Sequence, residues 1–305
     1  MINLLRADFS RLLRNKLFWC FSAFLFALSI WYCIGSGNVI LPQKESYTVY
    51  PFEAMPISEF AISVFTAFFI DVNFSSKVIS NKLSSGASKA QIYISNAILS
   101  FTVSVFFSLF FVVAGIRLMM SGKFPAGIYL AFVLVGMILS VTFSTLSTFF
   151  AFILRRSSVA SIVSIALIVV MFFATNILGS TLGQSKFAMI IETVNGVPYN
   201  NAEVIPNDAE ITYTEIPNQL YCGGVKRTVY QFISDLLPTS NLSLLSNLNI
   251  DSDNNGVWFS PGWSDTVQVK SAAEVFDYIN IAYPLGLSVF ITALGVLLFR
   301  KKDIN

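Results

Sequence analysis

The chain of 305 residues contains no histidine and only three cysteines, Cys20, Cys33 and Cys222. Without histidine there is no Ser-His-Asp or Cys-His arrangement. No Cys-x-x-Cys pair occurs either, so nothing calls for a zinc or haem site, and no cofactor is expected. Charge is equally scarce: 12% of residues are charged, against roughly 25% in an ordinary soluble domain. The net charge of +2 is too small to point to nucleic acid as a partner. No GxxxxGK[ST] sequence occurs, so the chain does not hydrolyse nucleotide through a P-loop of its own.

What fills the composition instead is apolar. Hydrophobic residues make up 55% of the chain, and phenylalanine alone occurs 30 times. These residues gather in long uncharged runs, which a soluble core does not need. The fold class read from this is an all-α polytopic membrane protein with six transmembrane helices, an amino-terminal interfacial helix and a small α+β extracytoplasmic domain between spans five and six.

Residues 1–16 read as the interfacial helix. Ile2, Leu5, Phe9 and Leu12 follow helical spacing, while Arg6, Asp8 and Arg14 lie away from that face. The first span, 17–35, has Trp19 and Trp31 near its two ends, where an interfacial belt falls. It is too long for a signal h-region and lacks a convincing cleavage site, so it is expected to remain as a span. Cys20 and Cys33 are expected to pack inside it. A polar loop, 36–58, carries Pro42, Pro51 and Pro56. Span two, 59–74, is short and rich in phenylalanine, with Asp71 near its end. Span three is 91–116, with Arg117 and Lys123 flanking the turn after it. Span four, 124–154, is long enough to tilt. Its second half clusters Ser140, Thr142, Ser144, Thr145, Ser147 and Thr148, which read as helix-packing residues or as the lining of a polar path. After Arg155 and Arg156 comes span five, 159–178.

From 179 to 277 the character changes. This region has eleven acids against four bases and several Asn-Gly and proline turns. Short strands are expected up to Ile216, then a helix from about Lys226 to Leu237 that Pro238 stops. Val229, Phe232, Ile233, Leu236 and Leu237 fall on one face of that helix, to pack on the domain core or rest on the outer leaflet. Cys33 and Cys222 share this side, as lone thiols or as a disulfide. The sixth span, 278–299, is interrupted by Pro284, and Arg300, Lys301 and Lys302 follow.

Charge sets the orientation. Twelve of the 19 basic residues sit in short segments that a both-termini-inside arrangement places in the cytoplasm (Arg6, Arg11, Arg14, Lys16; Lys77, Lys82, Lys89; Arg155, Arg156; Arg300, Lys301, Lys302). The segment FIDVNFSSKVISNKLSSGASKAQIY, residues 69–93, is then cytoplasmic. A short helix fits 77–83, Gly86 can end it and Ser88 can cap the next. This is either a docking hairpin or a solvated loop that only obeys the positive-inside rule. The expected outward face is Lys77, Asn81 and Lys82, with Val78 and Leu83 toward the bundle. The centres of the spans read as free of Asp, Glu, Lys and Arg, which argues against proton-coupled transport and leaves a partner chain as the energy source.

Five places together carry a family resemblance: LLRADFSRLLRNKLFW, FSSKVISNKLSSGASKAQIYIS, KRTVYQFISDLLPTSN, the six-span plan and the closing LLFRKKDI. The chain resembles the membrane subunits of ABC exporters of the type-two class, including bacterial permeases for antimicrobial or toxic peptides and drugs. Around Asn241 it departs from the more usual LPTGQ. The resemblance implies a half-transporter in the bacterial plasma membrane, paired with a second, identical or homologous, permease chain and two ATP-binding subunits. The same resemblance implies export of a peptide or amphipathic small molecule by a chain that is itself non-catalytic. It implies ATPase-coupling residues Lys77, Ser80, Asn81, Lys82, Leu83 and Gly86 in the hairpin 75–88, with Arg6, Phe9, Arg11 and Arg14 on the interfacial helix. Spans two and five are implied to line the path, with Phe65, Phe68, Phe69, Ser161, Ser164 and Phe172 as candidates. Two other readings stand beside it: an ATP-independent receptor or scaffold that binds ligand through 179–277, and a secondary transporter, which uncharged span centres disfavour.

Overall fold

The computed structural model describes residues 1–35, 52, 54–116, 120, 126–154, 157–194, 197–198, 211–246, 248–250, 257–259, 268–270 and 278–301. Most of the 36–58 loop, the turns at Arg117 and Lys123 and at Arg155 and Arg156, and Lys302 lie outside these residues.

Six helices are long and apolar enough to cross a membrane. A short helix, α1 (Ile2–Arg14), leads into the first of them, α2 (Lys16–Gly35). The second span is α3 (Met55–Ser75), followed by the seven-residue α4 (Val78–Ser84). The third span runs through α5 (Lys89–Ser108) and, after a hitch at Leu109, α6 (Phe110–Ala114). Spans four and five are α7 (Ala126–Leu154) and α8 (Ser157–Leu182). Two further helices, α9 (Gly224–Leu236) and α10 (Pro238–Ser246), precede the sixth span, α11 (Tyr278–Lys301).

Between α8 and α11 lie two three-stranded antiparallel sheets. In the first, β1 (Phe187–Val194) pairs with both β2 (Val197–Pro198) and β3 (Ile211–Pro217), with Phe187 opposite Pro217 and a bulge between Ile191 and Thr193. In the second, β5 (Val257–Phe259) lies between β4 (Leu248–Ile250) and β6 (Gln268–Lys270). The first agrees with the strands expected before Ile216; the second was not legible in the sequence.

Pro238 does not simply end a helix. It opens α10, as proline readily does at a first helical position, where no amide hydrogen is required. The helix turns back into the bundle, with Thr239 and Leu242 fully buried. Thr239 Oγ1 donates to the carbonyl of Met171 (3.0 Å) and lies 2.7 Å from Thr175 Oγ1, while Leu242 joins a cluster with Phe52, Met55 and Phe132. The apolar face of α9 is less covered among the described residues, where Phe232 meets Tyr283 of the sixth span edge-on at 6.3 Å. Val229, Phe232, Ile233 and Leu236 are all exposed among the described residues. Cys20 is exposed rather than packed inside the first span, and the three cysteines form no disulfide.

The bundle interior is closed by aromatic rings and small hydroxyls. Phe52 is buried before the second span begins and stacks on Tyr129 with ring centres 5.2 Å apart. The Tyr129 hydroxyl donates to the Phe111 carbonyl (2.7 Å) beside the hitch in span three. The six hydroxyl residues of span four are all buried. Thr148 Oγ1 donates to Ser100 Oγ (3.2 Å), and Ser288 Oγ donates to Thr142 Oγ1 (3.0 Å) next to the Pro284 carbonyl. These bonds between helices, made alongside bonds of Thr142 and Ser288 to carbonyls of their own helices, are what small-residue packing provides.

Candidate functional site: the hairpin between spans two and three

Each turn of the hairpin follows from its sequence. At the end of α3, Ser76 turns its amide and its hydroxyl to the Val72 carbonyl, and Lys77 bonds Phe74 O (3.2 Å). Lys77 then takes a left-handed conformation (φ +56°), which for a residue with a Cβ costs about 1–2 kcal/mol. At the far end, Gly86 N–H bonds Leu83 O and Ala87 N–H bonds Lys82 O, both at 3.0 Å. This is the paired pattern that closes a helix through a left-handed residue, and Gly86 supplies it with φ +89°. Ser88 and Gln91 then cap α5 reciprocally: the Gln91 amide donates to Ser88 Oγ (3.2 Å) and Ser88 N–H to Gln91 Oε1 (2.9 Å). Both bonds satisfy amides that the start of a helix leaves open.

Space is open around Gly86, so only its backbone angle resists a side chain. Gly86→Ala is therefore expected to destabilise by about 1–2 kcal/mol, read as a lower melting temperature of the purified protein. Gly86→Asn, which tolerates the same angle better, is expected to recover most of the difference.

The two faces of α4 are chemically distinct. Lys77, Ser80, Asn81 and Ser84 are exposed along one side, where residues three and four apart are neighbours. Ile79 and Lys82 are buried on the other, with Val78 and Leu83 partly covered. The expectation for Lys82 is corrected here: it points inward. Its Nζ donates to both oxygens of Asp8, at 2.6 and 2.8 Å. Ser95 Oγ donates to Asp8 Oδ2 at 2.8 Å, and Arg11 approaches Oδ1 at 3.7 Å. Asp8 is itself only 1% exposed. One carboxylate thus fastens the amino-terminal helix, the hairpin helix and the third span together.

Burial pushes the Lys82 ammonium below its ordinary pKa, the bond and charge of Asp8 oppose that, and Arg11 adds a small further lowering. Desolvation outweighs the pairing, so this ion pair stabilises less by its existence than it would destabilise if broken on one side. Its placement was partly legible. The reading that set Asp8 away from the apolar face of α1 is corrected by its burial: it stands between Leu4 and Leu12 at intervals of one turn, and Lys82 shares the helix face of Ile79. An isolated charge on an inward face needs an opposite partner.

Around that point α1 is anchored by Leu12, which joins a buried cluster with Phe18, Leu25, Ile62 and Phe65, with Phe9 partly covered against it. Arg6, Arg11 and Arg14 stay exposed. The five candidate path residues with described side chains differ in their surroundings. Phe65 and Phe69 are buried and stacked on each other (5.8 Å), and Phe65 meets Phe107 edge-on at 5.7 Å. Phe68 is 40% exposed. Phe172 stacks on Phe60 at 5.9 Å, bridging spans five and two. Ser164 is buried with its hydroxyl unpartnered among the described residues, and the Ser161 side chain lies outside them.

The second span also holds a residue that the sequence reading placed at its edge. Glu59 is fully buried, and one of its oxygens accepts the hydroxyl of Ser140, the central residue of the 29-residue α7. Glu59 lies one turn inside α3, so the carboxylate expected at the edge of the apolar run belongs to the packed bundle. Phe52, Ala54, Met55 and Ser58, read as loop, are buried in the bundle, and α3 starts at Met55, so Glu59 sits about a turn further into the helix than its place in the apolar run implied.

Six apolar helices, with an amphipathic helix tied to a hairpin between two of them, define a multi-pass membrane protein. A family model described as "ABC-2 family transporter protein" matches residues 76–304, well over half of the chain, and the chain belongs to that family. It is thus a membrane permease component of an ABC transporter. No curated protein matches it.

Proposed function

We propose that this chain is the permease half of an ATP-driven exporter whose hairpin, residues 75–88, seats in a separate ATP-binding subunit. The observation that supports this most directly is the division of α4 into an exposed face (Lys77, Ser80, Asn81, Ser84) and a face locked to the bundle through Lys82, Asp8 and Ile79. A push on the exposed face is delivered to α1 and span three through contacts that do not slide. Leu83 and Gly86 fix the helix end in this reading, while Arg6, Arg11 and Arg14 lie against the inner-leaflet headgroups.

The division of the chain follows. Residues 1–16 form the interfacial helix, and 17–178 carry spans one to five. Residues 179–277 form an extracytoplasmic region, and 278–305 the last span and a basic tail. Both termini face the cytoplasm of a bacterial cell. The chain pairs with a second, identical or homologous, permease and moves a peptide or amphipathic drug outward, a role suited to antimicrobial resistance. Spans two and five face the path, with Phe68 and Phe172 its most accessible aromatic candidates.

The test is reconstitution with the ATP-binding subunit. Ser80→Glu and Asn81→Glu are expected to leave stability within about 0.5 kcal/mol, as surface changes do, and to abolish the stimulation of ATP hydrolysis by substrate. A wild-type chain that neither co-purifies with an ATP-binding subunit nor alters its hydrolysis would sink the proposal.

A further inference from the structure

Glu59 has no cationic partner among the described residues, yet it is fully buried. Its Oε1 accepts from Ser140, and Ser140 in turn accepts from Ser108 Oγ at 2.7 Å. Its Oε2 is buried with no hydrogen-bond partner. One and two turns further along the same face of α3, Ser63 Oγ and Thr66 Oγ1 are also buried and unpartnered. Orphaned buried oxygens are rare, because each forfeits its bonds to water without replacement. Three in succession on one helix face, beginning with a carboxylate, form an oxygen-lined position with unfilled capacity. An ionised carboxylate in an apolar interior requires a neutralising cation.

The elements packed on α3 supply none nearby. Span five and α10 carry no ionisable side chain, and span four carries only Tyr129, whose hydroxyl is committed to Phe111. Span one carries Lys16, Cys20, Tyr32 and Cys33; Lys77, Lys82, Lys89 and Tyr93 lie beyond or beside the opposite end of α3. The hydroxyl pair can serve either state of the acid. Ser108 donating to Ser140, and Ser140 to Glu59, suits a carboxylate. With a proton on Glu59 the chain reverses, and Ser108 donates to the Ser104 carbonyl at 2.9 Å.

We propose that Glu59, with the hydroxyls of Ser63, Ser108 and Ser140, is an intramembrane site for a small monovalent cation, a proton or a sodium ion. It sits where spans two, three and four meet, so its occupancy is set by how closely those spans pack. The site is independent of the ATPase contact, and the permease chain alone suffices to test it.

The full chain in lipid nanodiscs is melted across acid to alkaline pH, and at fixed pH with sodium exchanged for choline, beside Glu59→Gln. The glutamine variant keeps the shape and the Ser140 bond without the charge. A wild-type melting temperature that moves with pH or with sodium, against a glutamine variant that does not, is the expected result. Two melting curves that move in parallel under every condition overturn the proposal. Labelling of Glu59 by a hydrophobic carbodiimide, located by mass spectrometry, separates the sources. Labelling that falls as pH rises identifies a proton, and protection by sodium at fixed pH identifies the metal ion. Ser140→Ala is expected to raise the cation concentration for half-protection by about tenfold, the effect of one lost charge-assisted bond. Should Glu59→Gln fail to accumulate, wild-type labelling decides alone: a Glu59 left unmodified, or modified at a rate that neither pH nor sodium alters, also overturns the site.

Discussion

Lys82→Ala is expected to destabilise the protein by about 3–5 kcal/mol, the usual penalty for removing one partner of a buried ion pair. The carboxylate of Asp8 would keep Ser95 and a distant Arg11 but lose both short bonds to the ammonium. Asp8→Ala is expected to be equally damaging, because a buried ammonium would then be left alone beside the Arg11 charge. The diagnostic measurement is the double variant. Lys82→Met with Asp8→Asn removes both charges, closely keeps volume and leaves Ser95 an acceptor, and is expected to be far more stable than either single change to alanine. Thermal unfolding of all forms in one lipid environment gives the coupling energy directly. If the doubly neutral protein is stable but no longer responds to an ATP-binding subunit, the pair has a transmitting role beyond holding the fold. A neutral double variant that is both stable and fully responsive would show that the apolar contacts around Ile79 are sufficient.

The second large effect is expected at Gly295. A Cβ added there would lie 2.1 Å from the Tyr93 hydroxyl oxygen and 2.4 Å from its Cζ. The ring has little room to withdraw, since Phe152 packs at 4.8 Å and Phe299 at 6.4 Å. Gly295→Val is therefore expected to destabilise by about 3 kcal/mol, at the upper end of ordinary overpacking, and to loosen the sixth span from the third. The same substitution in a Tyr93→Leu background is expected to be much milder, because the flexible side chain yields where the ring cannot. Equal penalties in the two backgrounds would show that helix contacts other than Tyr93 set the spacing.

How far the sequence could be read depended on whether a feature was local. Six spans were legible because each is a continuous apolar run, and a bilayer-length run has few alternatives. The hairpin was legible because Gly86, Ser88 and Gln91 act on backbone groups within a few residues. Lys82 was misdirected because a lysine beside a polar loop reads as solvated until its partner, 74 residues away, is brought against it. Glu59 was misplaced for a related reason. Hydropathy marks where an apolar run begins, whereas depth is set by what packs alongside. Here Phe52 and Met55 carry the preceding segment into the bundle. Among the aromatic path candidates of the second span, Phe65 and Phe69 serve the core and Phe68 the surface, a division that aromatic character alone does not reveal.

The sequence by itself determined the solvent this protein lives in, the number of its crossings and the ends of its short helices. These rest on transfer free energy and on hydrogen bonds closed within one or two turns. Tertiary structure alone decided which charges are buried, that Asp8 holds Lys82, that Glu59 lies among hydroxyls, and that Pro238 begins a helix that returns to the bundle. Each depends on surfaces distant in the chain meeting at the right height, and a charge takes its role from the partner that packing brings to it.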